Sequence, residues 1–338
     1  MAEQLRYVNR SGSNSAGGNG TSNGTAGATR AYFTLAEWEA NEQQDLVSAG
    51  DTARGLCDSG AGSADNATVD IAGWTTGVSD FITIEPNTDN EAVLTSWDTA
   101  RYILSTNVAS VAMIKISTAY VTVKGLQIHN LNASGIGFEL ASTNSLIDGV
   151  RIRATGAGNP IYGNTASSTA TIQNFILFHF DGTTGGSEGI YISGTASGST
   201  ILAYNGCIYG FDDGAEDDGS ALTCKNVASI ANVAQDFDTV TTVDYCLSDD
   251  GTGTNAQTPA GASHTNEFVD PANEDFTAVA TGNIQNGIGP SSDANVPTLD
   301  MEGDTRSGSA AFIGADEPAA SGISIPVVMN QLRNQGVA

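Results

Sequence analysis

The feature that most constrains this 338-residue chain is a short frame that recurs along it. Val123-Lys124-Gly125-Leu126-Gln127-Ile128 can be set over Ile147-Asp148-Gly149-Val150-Arg151-Ile152 and over Ile172-Gln173-Asn174-Phe175-Ile176-Leu177, each time with a Gly or Asn before an apolar residue. The same frame fits Tyr204-Asn205-Gly206-Cys207-Ile208-Tyr209. It extends less closely to Cys224-Lys225-Asn226-Val227 and Val243-Asp244-Tyr245-Cys246, which places the frame at 125, 149, 174, 206, 226 and 245. A second short run follows each of the first three: Gly135-Ile136-Gly137-Phe138, Asn159-Pro160-Ile161-Tyr162 and Gly189-Ile190-Tyr191-Ile192. These runs are too short for helices and rich in β-branched and aromatic residues, so they read as strands.

Two strand registers advancing together describe a solenoid. One coil cannot bury its inward side chains alone. Stacked coils put equivalent residues in columns and satisfy the backbone by parallel pairing. Gly and Asn suit the corners, where the backbone turns with positive φ. At roughly 24 residues per coil, the stretch from 80 to 290 predicts about nine coils and a rod about 40 Å long. A β-sandwich or jelly roll also strings short strands together, but it gives no reason for the recurrent frame. Three regions are expected: 1-78 as entry segment and cap, 79-290 as the solenoid, and 291-338 as a closing segment with a docking tail. Residues 11–29 have a linker's Gly/Ser composition. Thr34 to Leu46 is the best helix candidate, with Thr34 as N-cap, Glu37 completing a capping box, and Leu35 and Trp38 on one face. That helix would close the open N-terminal end of the rod, whose bare sheet edge would otherwise invite aggregation.

Charge narrows the partners. Lys and Arg number 12 against 38 Asp and Glu, a net charge of -26. Such a chain lacks the cations to neutralise many phosphates or to hold an anionic membrane surface, so neither nucleic acid nor membrane is expected as a partner. Met1 to Arg10 contain no apolar run of secretory-signal length. Cys57, Cys207, Cys224 and Cys246 show no C-x-x-C and no nearby histidine, which argues against zinc. Buried free thiols are the expectation, with a disulfide among the last three as the alternative.

Beyond the repeat, Tyr7-Val8, the Gly-rich passage from Gly12 to Gly27, Tyr32-Phe33-Thr34-Leu35 and Gly50-Asp51-Thr52 form an entry segment. Asp300-Met301-Glu302-Gly303-Asp304-Thr305-Arg306 followed by Ile313-Gly314-Ala315-Asp316-Glu317 forms a close. With the coils, these resemble the right-handed parallel β-helix proteins of the pectate-lyase-like superfamily. The resemblance implies an all-β right-handed parallel β-helix with an N-terminal capping helix and a short C-terminal tail. It specifies function poorly, because the superfamily spans lyases, hydrolases, adhesins and phage virion proteins.

Candidate chemistry is sparse. Asp212-Asp213-Gly214-Ala215-Glu216-Asp217-Asp218 offers carboxylates for acid–base work or for calcium, but its composition is that of a solvated acidic loop without EF-hand spacing. Galacturonase-like enzymes add a Gly-His-Gly and an Arg-x-Lys after their Asp pair, and neither is here. A pectate lyase mechanism needs a basic residue to take a proton from a polyanionic sugar, beside Ca²⁺-binding acids, and between 154 and 305 the one Lys or Arg is Lys225. His129 and His179 are candidate bases by residue type alone. Alternation with Phe178 and Phe180 points His179 outward, and His264 lies in a loop. Tyr191, Tyr204, Tyr209 and Phe211 would form a carbohydrate platform or, more simply, stacked core and corner aromatics. The apolar tail Ile323-Ser324-Ile325-Pro326-Val327-Val328-Met329 is costly to expose and reads as packing on its own domain or on a neighbour.

The expectation is therefore a protein with no catalytic, metal or cofactor residues. It would be a structural protein of a phage-like particle, a capsid decoration or cement protein on the exterior. Its partners would be the major capsid protein or other virion subunits, in a homo-oligomer with a trimer as candidate symmetry. The competing expectations are a polysaccharide-degrading enzyme using the 212–218 acids, or a glycan-binding adhesin or fibre.

Overall fold

The computed structural model describes residues 2–11, 18–60, 64–87, 91–181 and 185–318. The proposed docking tail beyond Pro318 lies outside the described residues. Three parallel strand ladders wind around one core, so the fold is the expected all-β parallel β-helix. The first ladder runs through Glu3–Asn9, Thr52–Asp58, Ile82–Pro86, Val121–Lys124 and Ser145–Asp148. It continues through the first halves of Thr169–His179, Thr200–Tyr209 and Ala221–Ile230 to Thr242–Asp244. The second takes Ile103–Thr106, Gln127–Asn130, Arg151–Ala154, the second halves of the same three long strands, and Leu247–Ser248. The third comprises Val69–Ile71, Ala112–Ile116, Ile136–Leu140, Asn159–Gly163, Glu188–Ile192, Asp213–Asp217 and Gln235–Asp238.

Nine rungs were expected over residues 80 to 290. The first ladder does carry nine strands among the described residues, but they span Glu3 to Asp244. Parallel pairing thus starts within the entry segment and stops short of residue 290. At about 4.8 Å per rung the rod is about 40 Å long.

The recurrent frame marks the corner between the first two ladders. Gly125, Gly149, Asn174, Asn226 and Tyr245 all have φ between 52° and 66°. At the fourth coil the left-handed residue is Asn205, not Gly206. The register pairs Gly206 with Phe175, and a Cβ at Gly206 would fall 2.1 Å from the Phe175 ring. Gly206 is therefore small for want of space rather than for its dihedral. Asn tolerates the left-handed region better than other side-chain-bearing residues, and Asn226 Nδ2 donates to Asn205 Oδ1 at 2.9 Å.

Stacking makes columns. Ile84, Val123, Ile147, Ile172, Ala203, Cys224 and Val243 lie one above another on the first ladder, and Val69, Ile114, Phe138, Ile161, Ile190, Ala215 and Phe237 do so on the third. All are buried. At the N-terminal end, helix α1 (Leu35–Glu42) lays Trp38 over Gly55 and against Trp74, ring centroids 5.6 Å apart, which is the expected cap. Thr34 Oγ1 accepts from Glu37 N, while the Glu37 carboxylate reaches back to Phe33 N, one residue earlier than a standard capping box. The helix ends at Glu42, and a separate turn α2 (Leu46–Ala49), capped by Asp45 and closed by left-handed Gly50, carries the chain into the first coil. The segment with a linker's composition is pinned in part: Gly20 O accepts from Tyr7 N and, just beyond the segment, Tyr32 O accepts from Asn9 N, so the chain here covers the edge of the first strand.

The C-terminal part departs most from a bare rod. From about residue 260 the chain returns along the outside of the second ladder, with strands Phe268–Asp270 and Asp275–Ala278 in an antiparallel pair. The outward residues Ile176, Phe178, Cys207, Ala228 and Leu247 then pack against Phe268, Phe276, Ile284 and Ile313 as a second apolar layer. This overturns the outward assignment of His179. Phe175 and Leu177 face the inner core, Ile176 and Phe178 face the return, and His179 is 2% exposed against Phe211. Alternation holds along the strand, but both faces are covered, so apolar character does not tell inside from outside. All four cysteines are buried free thiols, as expected.

The register generates a paired stability prediction. Gly206→Ala should cost about 3 kcal/mol by overpacking against Phe175. Gly149→Ala, where the left-handed backbone alone resists a side chain, should cost about 1 kcal/mol. Urea denaturation reads both, and the reverse order would contradict the assigned corner.

Candidate functional site

Outward residues of the third ladder stack just as inward ones do. Asp70, Lys115, Glu139, Tyr162, Tyr191, Glu216 and Asp238 occupy one column, and Asn159, Glu188, Asp213 and Gln235 a second beside it. The 212–218 acids enter here not as a loop but largely as the strand Asp213–Asp217. The composition misleads because of Gly214, whose absent Cβ leaves room for the Asp236 carbonyl, 2.5 Å from where that atom would sit. A glycine demanded by close approach of the next rung looks, in sequence, like a turn.

The strand sorts its acids by direction. Asp217 is buried, accepting from Gly219 N and Ser220 N on one oxygen and from Leu222 N and Thr241 Oγ1 on the other, so it braces a corner. Asp212 accepts from Gly186 N, and Asp218 accepts from the Tyr191 hydroxyl at 2.8 Å. Asp213 and Glu216 face outward. Partial burial, followed by repulsion from Glu188, Asp218, Asp213 and Asp238, pushes Glu216 up to about 7. Burial first, then neighbouring carboxylates led by Asp213, also raises Glu188. Asp213 is raised by burial and then by Asp212 and Asp238.

Next to the acids, Tyr162 and Tyr191 stack with centroids 5.7 Å apart and planes within 19°. Of the four aromatics considered as a platform, only Tyr191 is here. Tyr204 and Phe211 are buried, and Tyr209 stacks on Phe178 beneath the return segment. Tyr162, Asn159, Glu139, Glu188 and Asp238 were not singled out from sequence. One signal was present: Ile161-Tyr162 and Ile190-Tyr191 occupy the same place in the second strand run.

The histidines serve packing. His129 sits between Trp97 and Phe180, and burial, then Arg153, pushes it down to about 4, leaving it neutral. His179 Nε2 donates to Gly156 O at 2.7 Å. His264 pairs with Asp249 at 2.7 Å, which raises it. Lys225 Nζ is held by Asp293 at 2.5 Å. A separate cavity of about 400 Å³ lies between the first ladder's corner and residues 297–303, with Lys124, Asp148 and Glu302 in its wall. Among the described residues, no group of three or more His, Cys, Asp or Glu is arranged to hold a metal, and no helix is long and apolar enough to cross a membrane.

No protein-family model matches the chain, and no curated protein matches it. Among solved structures it is similar to a rhamnogalacturonan lyase, at 13% identity over 75% of this chain and 68% of that chain, with a TM-score of 0.42. It is also similar to pectate lyase Pel9A, at 12% identity over 94% of this chain and 97% of that chain, with a TM-score of 0.35. The parallel β-helix assignment rests on the strand pairing itself; likeness at this level carries nothing about activity.

The stacked acids predict an inverted pH response. A carboxyl whose folded pKa lies above its unfolded value binds protons more tightly when folded, so its contribution is fullest below the unfolded pKa and is lost as pH rises through the folded one. For Glu216 that window runs from the ordinary glutamate value, 4.5, to about 7. Asp236, raised to about 7, and Asp316, raised to about 6, act in the same direction. Thermal unfolding of Glu216→Gln should therefore match wild type at pH 4 and exceed it at pH 8. A variant less stable than wild type at pH 8 would contradict the repulsion.

Proposed function

We propose that this protein is a non-enzymatic structural component of a phage-like virion, a decoration or cement protein on the particle exterior. The observation that supports a structural role is the use made of the buried carboxylates. Asp65 accepts from Leu35 N, Ala67 N and the Tyr102 hydroxyl. Glu39 accepts from Ala72 N and Trp74 Nε1, and Glu267 from Ala260 N and Ile284 N. Asp300 accepts from Glu302 N, Asp304 N and Glu317 N. Each acid is committed to fixing the main chain of a cap or of the return, where unpaired buried N–H groups are costly. A rigid rod with a carboxylate coat suits an exposed particle surface, because like charge keeps copies from adhering at random.

In this reading the partners are the major capsid protein or other virion subunits, the chain is a homo-oligomer with a trimer as candidate symmetry, and neither nucleic acid nor membrane is engaged. Washed particles banded on a density gradient should contain the chain in fixed proportion to the major capsid protein. Its absence from such particles would contradict the proposal.

One observation favours a second reading. Glu216, raised to about 7 beside Glu188 and Asp213, allows one carboxyl to stay protonated while a neighbour is ionised, as glycoside hydrolysis requires. A hydrolase would cleave neutral glycan and lose about 100-fold in rate in Glu216→Gln or Glu188→Gln. The structural reading expects no cleavage by the wild-type chain.

A further inference from the structure

We propose that the joint between the last rung and the returning chain is a proton-operated latch, closed in acid and released as the pH rises through neutrality, with His264 and Asp236 as its titrating groups. Three segments meet there: the final strand of the third ladder, Gln235–Asp238, the loop after Leu247–Ser248, and the short turn His264–Asn266 that opens the return. Asp249 is the shared member. Its Oδ1 pairs with His264 Nε2 at 2.7 Å, its Oδ2 accepts from Ala231 N at 2.9 Å, and its own N–H donates to Asp236 Oδ2 at 2.5 Å. The other Asp236 oxygen accepts from Asn232 Nδ2 at 2.7 Å. A cavity of about 500 Å³ bounded by Asp249, Thr258, Pro259, Ala262 and His264 lies beside the pair and leaves the turn room to move.

The charges facing these groups are negative. His264 meets Asp249 from the loop, Asp236 from the third ladder and Glu267 from its own segment, and its ring stands edge-on to Tyr209 of the second ladder, centroids 6.3 Å apart. Asp236 meets Asp249 and Asp250. The hydrogen bond to Asp249, opposed by burial, raises His264 above its ordinary 6.5. Burial, opposed by the hydrogen bonds from Asn232 and Asp249 N and reinforced by the Asp249 and Asp250 charges, raises Asp236 to about 7. A raised group holds its proton more tightly in the closed joint, so its contribution is fullest below its ordinary value and is lost as the pH climbs through the raised one. For Asp236 that window runs from 3.8 to about 7, and for His264 it begins at 6.5 and extends upward. The two groups act in the same direction, one after the other. Asp249 stays ionised through both windows: burial opposes its charge, but hydrogen bonds from His264 and Ala231 N hold it below the ordinary aspartate value.

The release is local. Beyond the turn the return is tied down independently, by Arg151 and Arg153 to Glu274 and by Ala278 N to Asp316 Oδ2. What the latch covers is the rim of the outer apolar layer, where Tyr209 stacks on Phe178 with centroids 5.5 Å apart and meets Phe276 edge-on at 6.0 Å. Opening above neutral pH therefore uncovers an aromatic surface that acid keeps closed, without unwinding the coils. The proposal does not depend on the virion reading.

Hydrogen exchange of the full chain, followed by mass spectrometry from about pH 5 to pH 8 and corrected for the pH dependence of unprotected amides, tests it. Asp249 N, Asn266 N and Glu267 N report the latch, and Phe276 N, bonded to Leu94 O, reports the anchored part of the return. Protection at the latch should fall at least about tenfold across that range, each group contributing at most about tenfold per pH unit, while protection at Phe276 stays constant. Asp236→Asn should abolish the fall below about pH 6.5 and His264→Gln the fall above about pH 7, so that the double variant is flat. His264→Gln serves alone if Asp236→Asn does not fold. Protection independent of pH in the wild-type chain, an undiminished fall above about pH 7 in His264→Gln, or loss at Phe276 in step with the latch would overturn the proposal.

Discussion

In-register parallel stacking is the constraint from which the rest of this molecule follows. When a residue of one rung pairs with its counterpart in the next, whatever one coil places at a position is repeated about 4.8 Å above and below it. For inward positions the repetition is favourable, and Ile, Val, Phe and Ala form continuous columns. At the corners it demands a left-handed residue in coil after coil, met by Gly, then Asn, and finally Tyr245. For outward acids the same repetition is unfavourable. Glu188 over Asp213 and Glu216 over Asp238 put like charges on adjacent rungs, and this repulsion adds to partial burial in raising Glu188, Asp213 and Glu216.

A second constraint comes from the flank. The second ladder's outward face is apolar and needs a cover, which the returning chain supplies. Buried arginines hold that cover in place. Arg151 donates to Glu274 Oε2 at 3.0 Å and to Val93 O at 2.6 Å, while Arg153 Nε reaches Glu274 Oε1 at 2.7 Å between the Trp97 and Phe180 rings. Arg306 ties the carbonyls of Gly314 and Ala315 to Asn174 Oδ1, and Asn226 exchanges hydrogen bonds with Ile288. Two corner asparagines thus serve twice, as left-handed turns and as docking points. Losing one partner of such a buried pair strands a charge and is costly, even where the pair itself adds little net stability.

What was legible in the sequence is what repeats at short range. The corner frame, the Trp38 cap and the buried thiols depend on local composition and could be read directly. Asn205 was displaced by one residue because Asn-Gly offers two turn formers side by side, and only the Phe175 ring on the rung below decides between them. The candidate face was hidden for a different reason. Glu139, Tyr162, Tyr191, Glu216 and Asp238 come from separate coils, and the loops between coils vary in length, so no fixed spacing links them. His179 was misdirected because apolar patterning cannot reveal that a distant segment covers the outside of a sheet.

Thiol reactivity tests the central claim, an in-register core with a separate outer layer beneath the return, because the cysteines sample both. Cys57, Cys224 and Cys246 lie in the inner core, and Cys207 in the outer layer, where burial pushes its thiol up to about 12. Labelling of the native full chain, with and without Glu274→Ala, separates the two. The account predicts that the variant accelerates modification of Cys207 by loosening the return, while the other three still react only at the rate of global unfolding. A single phase for all four thiols in the variant, or modification of Cys224 or Cys246 ahead of Cys207, would contradict it.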